Sequence, residues 1–141
     1  MEVTYVKQEH LKGCVIACCA MITGQTYDQV AAHFRGNRDE DGVQLQHALR
    51  YITDHGFAAQ QVTAHGYNDL RDSNRRMLRP FADAHLVNVL PCVNSDIGHA
   101  LVMDGSGRLH DPEVPGEVDP MRFYFVNMVV GVYDERPRIE K

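Results

Sequence analysis

The sequence has little positive charge, and no run of lysine or arginine concentrates it. The 141 residues include 14 Lys and Arg against 19 Asp and Glu, which gives a formal net charge of −5. Nucleic acids attract basic surfaces, so this balance argues against a nucleic-acid partner. Long apolar runs are also missing, since no stretch approaches the roughly 20 apolar residues of a membrane span. We therefore expect neither a nucleic-acid nor a membrane partner.

Targeting signals, internal repeats and linkers are missing too. Residues 1–5 lack the basic start and the apolar stretch of a secretory signal peptide, so we expect a cytoplasmic protein. In that compartment the four cysteines (Cys14, Cys18, Cys19 and Cys92) are expected to be free thiols. We expect a single domain over residues 1–141, long enough to fold without a disulfide or a metal. The oligomeric state is not indicated.

The first half of the chain has helical patterns. The apolar run Cys14–Ile22, closed by Gly24, predicts a short buried helix, because its alanine content and the closing glycine favour helix over strand. Thr26 and Gln29 have the spacing of a capping box, which predicts a second helix that ends at Gly36.

Two more helices and a set of strands follow. Apolar residues at helical spacing predict a third helix over residues 45–52, stopped by Gly56, and a charged helix is predicted over residues 69–78. The predicted strands are Phe57–Thr63, His85–Leu90, His99–Met103, Arg108–His110 and Phe123–Tyr133. Helices followed by an antiparallel sheet predict an α+β fold.

The cluster of cysteines near the N-terminus suggests cysteine chemistry. A nucleophilic cysteine reacts as a thiolate, which a helix N-terminus stabilises through its dipole and its N–H groups. Cys14 has this place in the predicted helix, directly after Gly13. Cys18 and Cys19 lie about one turn further in, where a thiol acts as a small hydrophobic side chain. Gln8 precedes Cys14 by six residues and is a candidate donor to an oxyanion, beside the backbone N–H of Cys14.

A cysteine nucleophile also needs a base and a group that orients the base. His99 opens a predicted strand and is the candidate base, and Asp111 follows twelve residues later, across a Gly-Ser-Gly turn. A three-residue loop would place these two positions directly opposite each other, whereas a two- or four-residue loop would send them to opposite faces. The sequence leaves the register open, and Asp104 and Asp96 remain alternatives to Asp111.

Zinc binding is the main competing chemistry for these residues. Cys14 and Cys18 are one helical turn apart, and His10 is near them in the sequence. Structural zinc sites usually add a second pair of closely spaced cysteines, which this sequence lacks. We therefore expect neither a metal nor an organic cofactor.

The order and spacing of the candidate residues resemble the papain-like cysteine peptidases, most closely the bacteriocin-leader (double-glycine) peptidases and their stand-alone relatives. The matching pieces are Gln8-x5-Cys14-x2-Ala17-Cys18, Gly98-His99-Ala100-Leu101-Val102-Met103-Asp104-Gly105 and Leu109-His110-Asp111-Pro112. The resemblance implies a papain-like fold, in which an N-terminal helix packs on an antiparallel sheet. It also implies a thiol peptidase in which Cys14 attacks the scissile carbonyl and His99 takes and returns the proton. In that reaction Asp111 would hold the imidazole, and Gln8 would help to hold the oxyanion.

Two features depart from the family pattern. The family usually has glycine directly after the nucleophile, whereas this chain has Val15 there and Gly13 before Cys14. Leader peptidases usually sit on a membrane transporter, for which this chain has no span, so cleavage after a double glycine is not supported by context. We expect hydrolysis of a peptide or isopeptide bond in a peptide or protein substrate. The alternatives are acyl transfer of an amidase, deamidase or transglutaminase type, and a catalytically inactive papain-like interaction module.

Overall fold

The chain forms helices first and a sheet afterwards. The computed structural model describes residues 1–9, 12–35, 43–63, 77–90, 98–119, 122–123 and 125–137. The helices in these ranges are α1 (Cys14–Thr23), α2 (Tyr27–His33) and α3 (Leu45–Asp54). The strands are β1 (Phe57–Thr63), β2 (Ala84–Leu90), β3 (His99–Asp104), β4 (Leu109–Asp111), β5 (Val114–Glu117) and β6 (Phe125–Asp134). This order confirms the predicted α+β class.

The strands form one antiparallel sheet in the order β1-β6-β2-β3-β4-β5. The last strand, β6, lies between β1 and β2 and pairs with both. β3 and β4 are antiparallel neighbours, so the start of β3 and the end of β4 lie at the same end of the sheet. The sheet topology therefore brings His99 and Asp111 into the same region.

The sheet is apolar on both faces. The face toward the helices contributes Ala84, Leu86, Ala100, Val102, Val130 and Val132 to a core shared with α1, α2 and α3. The opposite face contributes Val87, Val89, Leu101, Met103 and Val129 to a second core, completed by Met77, Val118 and Phe123. α1 contacts α2, α3 and β3, which explains why its sequence is apolar on all sides. None of the helices in the described ranges is long and apolar enough to cross a membrane.

Local signals begin and end the helices largely as predicted. The capping box of α2 is present: the Gln29 N–H donates to Thr26 Oγ1 at 3.1 Å, and the Thr26 N–H donates to Gln29 Oε1 at 2.9 Å. Gly24 ends α1 in the left-handed conformation, with φ of 74°, and its N–H donates to the Ala20 carbonyl. α2 ends at His33 rather than continuing to Gly36, which lies outside the described residues.

The structure differs from the predicted strands mainly in β4, β5 and β6, and by one residue at the start of β2 and at the end of β3. β4 extends to Asp111, and β6 begins at Phe125 rather than Phe123. β5 was not predicted, because Pro115 argues against a strand; its four residues are exposed at the edge of the sheet, where proline is tolerated. The charged helix predicted over residues 69–78 falls mostly outside the described residues.

Gly131 provides a test of how tightly the face away from the helices is packed. A Cβ atom at Gly131 would overlap Cε2 of Phe81, a residue that is 41% exposed. We expect Gly131→Ala to lower the free energy of unfolding by about 1–2 kcal/mol, because the ring must move away. In a Phe81→Ala background, Gly131→Ala should lower the free energy of unfolding by less, as measured by urea unfolding. An equal cost in both backgrounds would contradict this account of the contact.

Candidate functional site

Cys14 is the first residue of α1 and is half-buried. Gly13 precedes it and has no side chain to cap the helix, and the first turn contains no acidic residue. The helix therefore begins at Cys14 without a side-chain cap from Gly13 and without a carboxylate in its first turn. The N–H groups at such a helix start favour negative charge on an oxygen that approaches them.

The other two cysteines of α1 have a different environment. Cys18 and Cys19 are completely buried, and both are free thiols, as is Cys14. Burial raises the pKa of Cys18 well above its ordinary value, and burial raises the pKa of Cys19 to about 12. Both therefore remain neutral at physiological pH and act as small core side chains, as predicted. Cys92 lies outside the described residues.

His99 and Asp111 are in direct contact. His99 Nε2 lies 2.6 Å from Asp111 Oδ1, and the two side chains are 11% and 1% exposed. Because a carboxylate only accepts hydrogen bonds, Nε2 carries the proton in this contact. The Cys14 side chain also acts on the His99 ring and raises its pKa, so the thiol lies near the ring. The structure thus brings Cys14, His99 and Asp111 into one cluster.

The environment of His99 favours its protonated form. Burial lowers the pKa of the imidazole, but the hydrogen bonds with Asp111 and then Cys14 outweigh burial and raise the pKa to about 10. The ring is bound to a buried carboxylate and lies near a thiol, so a positive charge on the imidazole is stabilised here.

The register between β3 and β4 explains the contact of His99 with Asp111. Asp104 and Arg108 are joined across the loop 105–107, and Val102 pairs with His110. Continued by one residue, this register would put Asp111 opposite residue 101, two positions from His99, but the pairing of β4 with β5 is irregular between His110 and Asp111. The loop has the three residues considered from the sequence, but a directly opposite pairing is wrong, because the loop is centred one residue further along. The two side chains therefore meet at the ends of their strands, beyond the regular pairs of β3 and β4.

Asp104 has a structural role in the turn instead. Its Oδ1 accepts hydrogen bonds from the Ser106 hydroxyl and from the N–H groups of Ser106 and Arg108, and its Oδ2 lies 3.2 Å from His110 Nε2. Burial acts to raise the pKa of Asp104, but the bonds from Ser106, His110 and the backbone lower the pKa to about 2. The other alternative, Asp96, lies outside the described residues.

Several groups fix the position of the Asp111 carboxylate. Its Oδ1 also accepts the Glu113 N–H at 2.9 Å, and its Oδ2 lies 3.9 Å from the Arg122 guanidinium. The Tyr5 hydroxyl donates to the Asp111 carbonyl at 2.9 Å. Burial acts to raise the pKa of Asp111, but the hydrogen bond with His99, the other donors and the Arg122 charge lower the pKa overall. Sequence reasoning missed Glu113 and Arg122, because no motif or spacing connects them to His99.

Gln8 lies beside the segment that follows Asp111. Its backbone N–H donates to the Pro112 carbonyl at 3.0 Å, and its side-chain oxygen is buried. The N-terminal segment is thus fixed to the end of β4 shortly before α1 begins.

A small residue is needed directly before His99. A Cβ atom at Gly98 would lie 2.8 Å from Asn88 Oδ1, and Asn88 Nδ2 donates to Asn127 Oδ1 at 2.9 Å. The asparagine pair therefore packs against the backbone that leads into His99. Gly98 was part of the sequence motif, but nothing in the sequence indicates that Asn88 and Asn127 lie next to it.

The site could also be considered as a metal centre. Within the described ranges, His99, Asp111 and Glu113 place ligand atoms within 4.8 Å of one another. However, Nε2 of His99 already donates to Asp111, and the Arg122 cation beside the carboxylate disfavours a second cation. The arrangement therefore suits proton transfer better than metal binding. The zinc set considered from the sequence includes His10, which lies outside the described residues.

Known structures share this fold. The chain matches a double-glycine-motif protease from an AMS/PCAT transporter, in complex with the leader peptide, with a TM-score of 0.63, 17% identity and coverage of 93% of this chain and 91% of that one. It also matches the peptidase domain of Streptococcus ComA, a bifunctional ABC transporter of a quorum-sensing pathway, with a TM-score of 0.65, 18% identity and coverage of 94% and 99%. No protein-family model matches the sequence, and no curated protein matches it. The chain therefore has the fold of the double-glycine peptidase domains, and the predicted papain-like fold is confirmed.

Proposed function

We propose that this protein is a cysteine peptidase that hydrolyses a peptide bond with Cys14 as its nucleophile. The observation that carries the proposal is the contact of His99 with the buried Asp111 carboxylate, in a cluster that includes the Cys14 thiol. The likeness to peptidase domains supports it, because that likeness extends over more than nine-tenths of the chain. We propose a peptide as the substrate, since one of these domains is in complex with a leader peptide.

The first half of the reaction makes an acyl-enzyme. The Cys14 thiol gives its proton to His99 Nδ1, and the thiolate attacks the scissile carbonyl carbon to form a C–S bond. The negative charge moves to the carbonyl oxygen, where the Cys14 N–H and the Gln8 side-chain amide would donate to it. When the C–N bond breaks, the leaving amine takes the proton from His99, and a thioester remains on Cys14.

The second half restores the enzyme. Water attacks the thioester carbonyl and gives a proton to His99, and the C–S bond then breaks to release the carboxylic acid. This leaves a thiolate and an imidazolium, and return of the proton from Nδ1 to the sulfur restores the starting thiol. Asp111 keeps Nε2 protonated throughout, so Nδ1 remains the nitrogen that exchanges the proton. A base in such a role typically contributes about 10²–10⁴-fold in rate.

Selective alkylation tests the proposal without knowledge of the substrate. We expect iodoacetamide at pH 6 to modify Cys14 while Cys18 and Cys19 react only after unfolding, as read by peptide mapping. His99→Ala should slow the Cys14 reaction at least about tenfold, because the imidazolium partner is lost. His47→Ala, which removes an exposed histidine of α3, is the matched control and should leave the rate unchanged.

Two results would overturn the proposal. The first is a Cys14 that reacts as slowly as Cys18 and Cys19 in the folded protein, which would indicate an inactive module. The second comes from incubation with synthetic leader-type peptides and a primary amine, followed by mass spectrometry. Transfer to the amine without hydrolysis would indicate a transferase instead of a peptidase.

A further inference from the structure

We infer that Arg122 is a positioning residue that acts on His99 mainly through Asp111, by holding the second carboxylate oxygen, and to a smaller extent by opposing the charge of the imidazolium directly. The inference rests on the proposed function for its effect on turnover. Its effect on His99 itself can be measured without turnover.

The two oxygens of Asp111 have separate partners. Oδ1 accepts from His99 Nε2 at 2.6 Å and from the Glu113 N–H at 2.9 Å. Oδ2 lies 3.9 Å from Nη1 of Arg122. A carboxylate that is 1% exposed is costly to bury without compensation for both oxygens, and Arg122 supplies a positive charge on the side that His99 does not reach.

Local packing keeps the guanidinium near the carboxylate. Arg122 precedes Phe123, a buried residue of the second core, and the guanidinium carbon lies 5.8 Å from the centre of that ring. The Arg122 N–H donates to the Asp119 carbonyl at 3.1 Å. The side chain is 49% exposed, so its charge acts on Asp111 from the solvent side of a buried group.

The charge of Arg122 has opposite effects on its two neighbours. It stabilises the ionised form of Asp111, and it disfavours the imidazolium because the two are like charges. Asp111 by itself would hold the proton on His99 strongly, and an imidazolium that is too stable returns its proton slowly to the leaving amine. Arg122 would therefore keep Asp111 ionised while limiting how tightly His99 holds its proton.

Other groups also face this pair. The Cys14 thiol of α1 lies near His99, and the Cys18 thiol of α1 experiences the Asp111 charge. The Tyr5 hydroxyl is bound to the Asp111 carbonyl. Glu113, after β4, is exposed and has a carboxylate oxygen within 4.8 Å of a His99 ring nitrogen. Its charge is opposite to that of Arg122, so neutralising Glu113 should shift the His99 titration in the opposite direction.

Titration of the His99 ring by NMR in a Cys14→Ser background tests the inference. We expect Arg122→Gln to raise the midpoint by roughly half a pH unit, and Arg122→Lys to restore most of the difference. Glu113→Gln should lower the midpoint. Arg108→Gln removes the same charge from the exposed turn at the other end of β3 and should leave the midpoint unchanged.

A double-mutant comparison separates action through Asp111 from a direct effect on the ring. In an Asp111→Asn background, Arg122→Gln should shift the His99 midpoint by less than half as much as it does when Asp111 is present. An equal shift in both backgrounds would overturn the inference, and so would an Arg108→Gln shift as large as that of Arg122→Gln. Arg122→Lys keeps the charge and provides a folded comparison if Arg122→Gln is unstable.

Steady-state kinetics provides a second test of the role of Arg122. With a peptide that the unmodified protein cleaves, we expect Arg122→Gln to lower kcat about threefold, to leave KM within about twofold, and to move the alkaline limb of the pH profile upward. A changed KM with an unshifted pH profile would overturn the positioning role. A His99 shift in a protein without any hydrolysis would contradict the proposed function alone, so the two failures can be told apart.

Discussion

Replacing Asp111 with alanine is expected to lower kcat/KM for peptide hydrolysis by about 10³-fold, whereas asparagine should cost only about tenfold. Alanine removes the acceptor that keeps Nε2 protonated, so the ring can turn or adopt the tautomer that presents an N–H to Cys14. It also leaves the Glu113 N–H without the carboxylate that it contacts.

Asparagine should be tolerated because a backbone group fixes its orientation. The Glu113 N–H needs an acceptor at the position of Oδ1, so the amide oxygen of the Asp111→Asn variant would take that place and still accept from His99. The tautomer is then retained, and the negative charge alone is lost.

Steady-state kinetics of the two variants on one peptide, with folding checked by circular dichroism, tests this explanation. Equal losses for alanine and asparagine would show that the charge of Asp111, and not its acceptor geometry, determines the rate. An Asp104→Asn variant is the control for a carboxylate of the same hairpin that contacts the turn instead of His99.

His85→Leu is expected to lower the free energy of unfolding by about 2–3 kcal/mol at pH 7.5. His85 is completely buried, and its Nε2 accepts the N–H groups of Phe81 and Ala82 at 3.0 and 3.1 Å. Its Nδ1 therefore carries the proton and donates to the Met103 carbonyl at 3.2 Å. Leucine fills a similar volume but cannot form a hydrogen bond with any of these three backbone groups.

The same histidine makes stability depend on pH. Burial lowers the pKa of His85 below its ordinary value of 6.5, because the charged ring would lose its hydration. The N–H groups of Phe81 and Ala82, which only an unprotonated Nε2 can accept, favour the neutral ring as well. The unfolded chain therefore binds this proton more tightly than the folded one. The stability that neutral His85 provides is fully present above about pH 6.5 and is lost as the pH falls toward the lowered pKa of the folded state.

Urea unfolding at pH 7.5, 6.5 and 5.5 measures both effects. The unmodified protein should lose up to about 1.4 kcal/mol per pH unit from this residue below pH 6.5, and His85→Leu should lack that part of the slope. His47→Ala is the control for an exposed histidine and should keep the slope. A parallel pH dependence of the His85→Leu variant and the unmodified protein would refute the assignment to His85.

Local features of the fold were predictable from the sequence, whereas long-range contacts were not. Thr26 and Gln29 signalled a capping box, and Gly24 signalled the end of α1, because such motifs depend on neighbouring residues. The order of β6 between β1 and β2 has no such signal, since it depends on pairing between distant segments. β5 was missed because Pro115 is unfavourable in a strand unless the strand is at an edge, and edges are a property of the whole sheet.

The candidate site shows the same division. Cys14, His99 and Asp111 could be named from residue type and order, but the contact of His99 with Asp111 depends on the length and position of the loop between β3 and β4. A loop of two or four residues would have sent the two side chains to opposite faces unless a bulge corrected the register. Arg122 approaches Asp111 through tertiary packing around Phe123, so its part in the site could be recognised only in three dimensions.

The position of β6 in the sheet has a consequence for how the protein is made. β1 and β2 follow each other in the chain, but each pairs with β6, which emerges from the ribosome after the other strands of the sheet. A nascent chain that stops short of β6 leaves the edges of both strands open, and open edges invite pairing with other chains. Folding must also wait for contacts between distant segments, which slows it. The hairpin that carries His99 and Asp111 can form early, but the sheet that supports it closes only with β6, so the complete candidate site should appear late in synthesis.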